Sequence, residues 1–280
     1  MRPRDATILL LNDFAYVNGG SAQVALASAK ALASRGYNVI LFAAVGPLST
    51  DLQQPHLSTI CLGQHEIVED PNRFRAFVQG IWNFRASREM AVLLRRLSPA
   101  TTIVHVHGWT KALSASVVRQ AVVRGFRVVS TLHDYFSVCP NGAFFHYPKG
   151  EACHLRPLSL GCIASACDKR NFAHKIWRVM RQVVQQRMGR LPGGVQQFIV
   201  PSRLCQGLLH ETLPPGSTTY LVRNPIDISK CDPVTVEANS AYTFVGRLAS
   251  EKGCVLLARA GHMTGYPMTF VGEGECRESI

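Results

Sequence analysis

Two cations, Arg247 and Lys252, lie five residues apart where a short apolar strand passes through Gly246 into a predicted helix. Backbone N–H groups and the positive end of the helix dipole meet at a helix N-terminus. Together with fixed cations they suit a phosphate or diphosphate group. Many strand-to-helix turns carry exposed Arg and Lys, so the spacing alone leaves a solvated pair of charges as an equal alternative.

Two histidines directly follow predicted strands. His107 follows the strand Thr102–Val106, and His133-Asp134 follows the strand Arg127–Leu132. Ligands of open parallel sheets bind at the C-terminal ends of the strands, and an imidazole of near-neutral pKa can donate or accept a hydrogen bond there. The alternative is that each histidine only satisfies a backbone carbonyl.

A glycine pair, Gly19-Gly20, joins the first predicted strand, Thr7–Leu11, to the first predicted helix. Glycine tolerates positive φ and leaves room for a ligand close to the backbone. A plain turn explains one such pair at least as well, so its meaning depends on the other matches along the chain.

Taken in chain order, these segments resemble the signatures of the retaining GT-B glycosyltransferases of family 4. Five matches occur in the expected order and cover essentially the whole chain, with Pro225 standing where glycine is commoner. The matching segments are Gly19-Gly20, Val104–Gly108, Thr131–Asp134, Phe198–Ser202 followed by Arg223–Asp227, and Phe244–Gly253.

The resemblance implies a hexosyltransferase that uses a nucleotide-sugar donor and a glycan or lipid-linked acceptor, retains configuration and needs no metal or other cofactor. His133, Arg247 and Lys252 would be catalytic, because the family's histidine lies close to the donor sugar and its cations stabilise the leaving diphosphate. The residues implied to bind donor or acceptor are Gly19, Gly20, His107, Asp134 and Gly246.

Strands alternate with helices along the chain, which predicts a parallel sheet covered on both faces. The predicted fold is α/β of the GT-B type, with a Rossmann-like, acceptor-side domain over residues 1–223. A linker over 224–239 and the start of a second Rossmann-like, nucleotide-sugar-binding domain over 240–280 complete the expected organisation.

The predicted second domain holds one strand–helix–strand unit. It lacks the Glu-x7-Glu motif with which the family's second domain holds the donor. We therefore expect either a fragment or a naturally shortened protein. The competing function is a non-catalytic acceptor-binding or partner-binding module without a donor pocket.

Two helical stretches carry unusual patterns. Residues 73–97 are predicted as one helix with Phe74, Phe77 and Phe84 on one side. Residues 169–190 hold seven cations, no acid, and apolar residues at helical spacing. This basic amphipathic helix fits either a surface helix with its apolar face on the core or a contact with acidic phospholipid.

The formal net charge of +12 admits nucleic acid, an anionic membrane surface or anionic substrates as partners. No nucleic-acid-binding motif accompanies it, so no nucleic-acid partner is predicted. No apolar stretch approaches the roughly 20 residues of a membrane-spanning helix, and Ile8–Leu11 is too short for a signal-peptide core. We expect a cytoplasmic protein, peripheral on the inner face of the membrane if the basic helix binds phospholipid.

Four cysteines cluster in a Pro/Gly-rich insertion over residues 135–168. In a cytosolic protein such a cluster indicates metal more than disulfides, although the tight Cys-x2-Cys pairs of most zinc sites are missing. The sequence leaves open a structural zinc site, simple buried or free thiols, and disulfides. The four are Cys139, Cys153, Cys162 and Cys167.

Overall fold

A seven-stranded sheet forms the centre of the protein, whose computed structural model describes residues 5–226 and 231–280. Asp227, which ends one predicted family match, lies outside the described residues. The sheet order is β3-β2-β1-β4-β5-β6-β7, and all neighbouring strands are parallel. The strands are β1 (Thr7–Phe14), β2 (Asn38–Val45), β3 (Leu57–Cys61), β4 (Thr102–Val106), β5 (Arg127–Thr131), β6 (Gln197–Val200) and β7 (Thr218–Leu221).

The central strand β1 is buried on both faces, as expected of a parallel sheet covered by helices. Leu9 and Leu11 point into one apolar cluster, whereas Ile8 and Leu10 point into a second cluster across the sheet. Side chains alternate between the faces of a strand, so the apolar run of β1 supplies both layers of the core. The predicted α/β parallel sheet is confirmed.

Helices cover both faces of the sheet. α1 packs on the cluster that contains Leu10, and α3 and α4 pack on the cluster that contains Leu9. The helices are α1 (Gly20–Ser34), α2 (Arg73–Ile81), α3 (Phe84–Leu94), α4 (Ala115–Val123), α5 (Leu160–Ala164), α6 (Phe172–Arg187), α7 (Arg203–Leu209) and α8 (Cys254–Thr264).

The single helix predicted over 73–97 is wrong, because the chain breaks at Trp82-Asn83 into α2 and α3. Trp82 is extended, and the Asn83 side chain caps α3 by accepting a hydrogen bond from the Ala86 N–H at 2.9 Å. The Asn83 N–H in turn donates to Ser114 Oγ at 2.9 Å.

The break leaves the predicted phenylalanine side of this stretch in solvent. Phe74, Phe77 and Phe84 are 78%, 44% and 69% exposed. They therefore do not anchor the two helices on the core.

The basic helix α6 differs from the interpretation as a surface helix with its apolar face on the core. Its buried side is largely polar and includes Lys175, Arg181 and Gln182, whereas Phe172 and Met180 are exposed. The inward polar groups are satisfied by other segments; the Gln182 side-chain amide, for example, donates to the Ser137 carbonyl at 3.2 Å. Within the described ranges, no helix has both the length and the apolar character that crossing a bilayer requires.

Residues 135–168 contain little regular structure, as predicted. They form a two-residue antiparallel hairpin, Phe145–His146 with Glu151–Ala152, and the short helix α5. Strand β7 forms one edge of the main sheet, next to β6.

A separate two-stranded parallel sheet follows, made of β8 (Tyr242–Val245) and β9 (Met268–Val271) with α8 between them. This strand–helix–strand unit was predicted. Its small core contains Leu248, Cys254 and Cys276. The domain limits 1–223, 224–239 and 240–280 stay predictions.

Candidate functional site

The glycine loop opens helix α1 beside the C-terminal end of β1. Gly19 has φ +145°, which side-chain-bearing residues rarely adopt, and it occupies the N-cap position without a side chain. A Cβ added to Gly19 or Gly20 would meet no atom within 4 Å. The positive φ therefore explains why position 19 is a glycine. The N-terminus of α1 faces open space.

Asp13, at the end of β1, holds the loop over residues 111–113 in place. The sequence did not single out this residue. Its buried carboxylate accepts three backbone hydrogen bonds, each 2.9 Å long, from the N–H groups of Lys111, Ala112 and Leu113. Burial raises the pKa of Asp13, and those three donors and the Lys111 charge counter the rise. The polar pair Asn12-Asp13 at the end of an otherwise apolar strand was the signal for this role.

Three histidines meet at the C-terminal ends of β4 and β5. Nδ1 of His107 lies 3.1 Å from Nε2 of His133, and the His105 and His107 ring centroids are 4.1 Å apart. His105 Nε2 also shares a 2.8 Å hydrogen bond with Thr131 Oγ1. Register explains the meeting, because β4 and β5 are adjacent parallel strands that end side by side.

The environment keeps these imidazoles neutral. Burial, together with the nearby His133, lowers the pKa of His105 to about 4, and burial alone lowers that of His133 to about 4. His107 is buried more completely, and its pKa lies well below the ordinary value. A neutral imidazole can donate from one nitrogen and accept at the other.

His107 carries an unsatisfied polar atom. Its Nε2 is buried and has no hydrogen-bond partner among the residues described. His107 also lines a cavity of about 50 Å³ together with Asn18, Ser21 and Asp134. A cavity of this size and polarity holds about one or two small polar groups, such as a water or a ligand hydroxyl.

Asp134 lies in a recess that reaches solvent. Its carboxylate accepts a 3.0 Å hydrogen bond from the Phe136 N–H. The surrounding protein raises the pKa of Asp134 to about 6 by desolvation, which outweighs the Phe136 hydrogen bond and the charges of Arg181 and Lys111. This carboxyl therefore changes protonation near neutral pH.

A larger cavity of about 580 Å³ adjoins the small one, and Asp134 and Lys111 line both. It lies among α2, the N-terminal half of α6 and the segment after His133. Aromatic and cationic side chains line it, including Phe77, Phe136, Trp177, Arg178 and Arg181.

The cysteine cluster is arranged around a lysine. Lys175 is 1% exposed, and its Nζ lies 3.2 Å from Cys167 Sγ and 3.6 Å from Cys162 Sγ. Burial opposes its charge, but the hydrogen bond to Cys167 and the charges of the surrounding cysteines raise the Lys175 pKa. Across residues 5–226 and 231–280, no group of three or more His, Cys, Asp or Glu could hold a metal ion.

All four clustered cysteines carry free thiols. Cys153 lines a different surface pocket, together with His154. A structural zinc site at Cys139, Cys153, Cys162 and Cys167 was one of the alternatives that the sequence left open, and it stays a prediction.

The Gly246–Lys252 turn lies at the C-terminal end of β8. Arg247 and Lys252 are exposed, and Arg247 Nη2 lies 2.9 Å from Glu251 Oε1. The predicted helix begins later than expected, because residues 250–252 form a single 3-10 turn before α8.

A second glycine loop, over residues 272–274, packs against this turn. The sequence did not point to this contact. A Cβ on Gly272 would lie 1.9 Å from the Gly246 carbonyl oxygen. The Leu248 N–H donates to the Glu273 carbonyl at 2.9 Å. The loop after β9 therefore holds the backbone around Arg247 in a fixed conformation.

The turn faces the cysteine-rich segment. Lys169 and Glu275 form an ion pair at 2.7 Å. Burial raises the pKa of Tyr147, the Glu251 charge raises it further, and the Arg247 charge lowers it. In the part of the chain that the structure describes, no hydrogen bond or ion pair joins Arg247 or Lys252 to the histidine group.

The architecture, a parallel α/β sheet with its polar site at the C-terminal strand ends, is Rossmann-like. The sequence pattern of Glycosyltransferase Family 4 matches residues 18–230, more than half of the chain. The chain belongs to glycosyltransferase family 4. None of the curated protein sequences matches it.

Solved structures share this fold at low identity. Medicago truncatula UGT71G1 complexed with UDP-glucose is 12% identical with a TM-score of 0.50, over 98% of this chain and 67% of that one. LpCGTa in complex with UDP is 17% identical with a TM-score of 0.49, over 94% and 64%. The lipopolysaccharide outer core galactosyltransferase WaaB, in its apo form, is 12% identical with a TM-score of 0.49, over 97% and 62%.

The chain thus spans about two thirds of the length of the structures that it matches. The likeness confirms the predicted GT-B type of fold.

Proposed function

We propose that this protein is a hexosyltransferase that moves a sugar from a nucleotide-sugar donor to a glycan or lipid-linked acceptor. The observation that carries the proposal is the meeting of His107, His133 and Asp134 beside the Gly19 loop, at the C-terminal edge of a parallel sheet. Membership of glycosyltransferase family 4 supports it. UGT71G1, which shares the fold, was solved with UDP-glucose, and a UDP-hexose is the donor that we propose here.

The reaction breaks the bond between the anomeric carbon of the donor sugar and a diphosphate oxygen. Negative charge grows on that oxygen, and preorganised cations stabilise it more in the transition state than in the ground state. We assign this task to Arg247 and Lys252. The exposed Arg247 would exchange its Glu251 partner for the diphosphate, which it can bind through two parallel N–H groups.

His133 would contact the donor sugar as a neutral hydrogen-bonding group, because its pKa of about 4 leaves it uncharged at neutral pH. Fixed cations can fulfil the charge-stabilising role of a divalent metal, so we propose a metal-independent reaction. Retention would follow from attack on the same face of the sugar. The leaving phosphate would accept the proton of the acceptor hydroxyl as the new glycosidic bond forms.

The site of action proposed is the inner face of the cytoplasmic membrane. The exposed side chains of Phe172 and Met180 on α6 offer an apolar strip, and Arg187 and Arg190 offer nearby exposed cations. Binding by such a surface combines apolar insertion with attraction to acidic lipid. Co-sedimentation with neutral and anionic vesicles tests it, and equal binding to both would remove the electrostatic part.

A second candidate is a non-catalytic protein that binds an acceptor or a partner. The absence of any hydrogen bond or ion pair between Arg247 and the histidine group, within the described residues, favours it.

Release of UDP from UDP-glucose and UDP-galactose by the purified chain separates the two. We expect release that falls at least about tenfold in His133→Ala and is unchanged in His210→Ala, a substitution at an exposed histidine outside the site. No release by the wild-type chain, with acceptor binding retained, would establish the second candidate. The anomeric configuration of the product, read by NMR, tests retention.

A further inference from the structure

We propose that the cavity next to Asp134 recognises an anionic group on the acceptor, a phosphate or a carboxylate attached to a sugar. The inference rests on the proposed function in that it names the acceptor class of the same site. We call this cavity the cationic-aromatic pocket and define it by Lys111, Arg178, Arg181, Phe77, Phe136 and Trp177.

Arg181 is the buried cation of the pocket and lacks a full set of partners. It is 6% exposed, and its Nη1 donates to the Thr110 carbonyl at 3.4 Å. Its Nε is buried without a hydrogen-bond partner among the described residues. A buried guanidinium with an unpaired N–H donor destabilises the folded protein unless an acceptor reaches it. An anion is the strongest such acceptor.

The nearby carboxylates do not neutralise all the cations of the cationic-aromatic pocket. Asp168 is already engaged, since its carboxylate pairs with Arg178 Nε at 3.1 Å and with His174 Nδ1 at 3.1 Å. Among the described residues that line the pocket, Asp134 is the one carboxylate, against the cations Lys111, Arg178 and Arg181. The positive charges therefore outnumber the negative ones in the pocket.

Lys111 provides a second cation at the boundary with the smaller cavity. Its Nζ donates to Asn18 Oδ1 at 3.3 Å and lies 5.1 Å from the Phe14 ring centroid. The side chain is exposed, so the ammonium can turn toward a ligand without leaving a buried partner unsatisfied. Lys111 lines both cavities and so lies between the anion site and His107.

The N-terminus of α6 contributes in the same direction. The pocket wall includes Ala173 in the first turn of this 16-residue helix and the N-cap Asn171, whose side chain accepts a hydrogen bond from the His174 N–H at 2.8 Å. The positive end of a helix dipole attracts an anion. Here it adds to the unsatisfied Arg181, which lines the same pocket.

The aromatic side chains identify the rest of the ligand. The Arg181 guanidinium lies 4.6 Å from the Phe136 centroid and 5.3 Å from the Trp177 ring, and Phe77 packs 6.2 Å from Trp177. Flat apolar faces beside cations suit a molecule with an apolar face and one anionic group. A sugar phosphate or a sugar acid has this form, whereas a bare inorganic anion leaves the aromatic faces unused.

Binding in the absence of any nucleotide sugar tests the pocket separately from catalysis. The probes are glucose 6-phosphate, glucuronic acid and, as the matched neutral sugar, glucose, each titrated calorimetrically into the full chain. We expect at least one anionic sugar to bind about tenfold or more tightly than glucose. Preference for glucose 6-phosphate would identify the anion as phosphate, and preference for glucuronic acid would identify it as carboxylate.

Two pocket variants and one matched control complete the test. Arg181→Met and Lys111→Met should each reduce the preference for the anionic sugar, whereas Arg203→Met, at an exposed cation of α7 outside the pocket, should keep it. Lys111→Met keeps the test decisive if the buried Arg181→Met variant fails to fold. Equal affinity for glucose and both anionic sugars, or a preference that survives in the folded pocket variants, would overturn the proposal.

The failure of this inference differs from the failure of the proposed function. If the chain prefers anionic sugars but releases no UDP from donors, the anion-binding pocket is supported and the proposed transferase activity is contradicted. If the chain releases UDP but binds glucose, glucose 6-phosphate and glucuronic acid equally, the transferase activity is supported and the anion site is contradicted.

Discussion

His107 and His133 share a hydrogen bond, with 3.1 Å between Nδ1 of His107 and Nε2 of His133. Because both rings are neutral near pH 7, one nitrogen donates and the other accepts. His107 is the more buried ring and is held between β4 and the loop that Asp13 fixes. His107 therefore orients His133.

The first prediction concerns this pair. His107→Ala should lower turnover about tenfold or more by freeing the His133 ring, and the double variant should be little worse than His133→Ala alone. Steady-state kinetics of both single variants and the double variant measure the coupling. An NMR titration adds a readout that misfolding does not imitate, because burial lowers the pKa of His133 to about 4 and this pKa should rise toward 6.5 as the freed ring gains access to solvent. Additive losses would contradict the orienting role.

The second prediction is a pH dependence of stability. The pKa of His105 is about 4 in the folded protein against 6.5 ordinarily, so between these values the unfolded chain binds a proton that the folded chain excludes. The free energy of unfolding should therefore fall as the pH drops from about 6.5 to 4, by up to about 3 kcal/mol from this residue. Asp134 acts in the opposite sense, because its raised pKa makes the folded protein bind its proton first.

His105→Gln isolates the histidine contribution, since a Gln amide can replace the Nε2 hydrogen bond to Thr131 and does not titrate. Urea unfolding of both proteins at pH 7 and pH 4.5 measures the difference, and Asp134 cancels because both proteins retain it. The wild type should lose more stability than the variant on acidification. Equal losses would show that His105 titrates normally in the folded state.

The third prediction concerns Asp13. Asp13→Ala leaves the N–H groups of Lys111, Ala112 and Leu113 without their acceptor and should cost about 3 kcal/mol or more, while Asp13→Asn should cost less because its amide oxygen still accepts. Asp51→Ala is the control, because its carboxylate makes only exposed contacts, an ion pair with Lys30 and a hydrogen bond from Ser49 Oγ, and its loss should cost at most about 1 kcal/mol. Equal unfolding free energies for Asp13→Ala and Asp51→Ala would contradict the loop-fixing role.

The sheet was predictable from the sequence, because fully buried parallel strands need continuous apolar runs. The strand Thr102–Val106 was predicted with the limits that the structure has. The nearness of His107 and His133 was also foreseeable, because residues that follow parallel strands gather at one edge of the sheet. Their 3.1 Å hydrogen bond was not, since it depends on the register of β4 against β5.

The errors arose where distant segments decide the local structure. Asn83 ends one helix and begins the next with help from Ser114, 31 residues away. The polar side of α6 faces inward because Lys175 and Gln182 find partners in the segment 135–168. Helical periodicity assigns an apolar side to the core by default, so Arg181 was placed in solvent and its pocket was missed.

The fourth prediction concerns the exposed cations. Arg247→Ala and Lys252→Ala should each lower turnover by well over tenfold in the active enzyme, with a larger effect on kcat than on KM, because the charge that they stabilise grows in the transition state. Arg259→Ala on α8 removes an exposed cation from the same small unit and should leave turnover unchanged. Unchanged kcat in Arg247→Ala would remove this residue from the proposed chemistry.

The last prediction concerns the cysteine cluster. The Lys175 ammonium already lies between Cys162 and Cys167, at 3.6 Å and 3.2 Å from their sulfurs, so a zinc ion at this position would have to displace a buried charge. We therefore expect less than about one tenth of an equivalent of zinc in the dialysed protein, where a structural site would retain about one. Metal analysis of wild type and Lys175→Ala, both grown with added zinc, measures this. About one equivalent in the wild type would establish the zinc site. Zinc in the variant alone would show that the lysine holds the place of the metal.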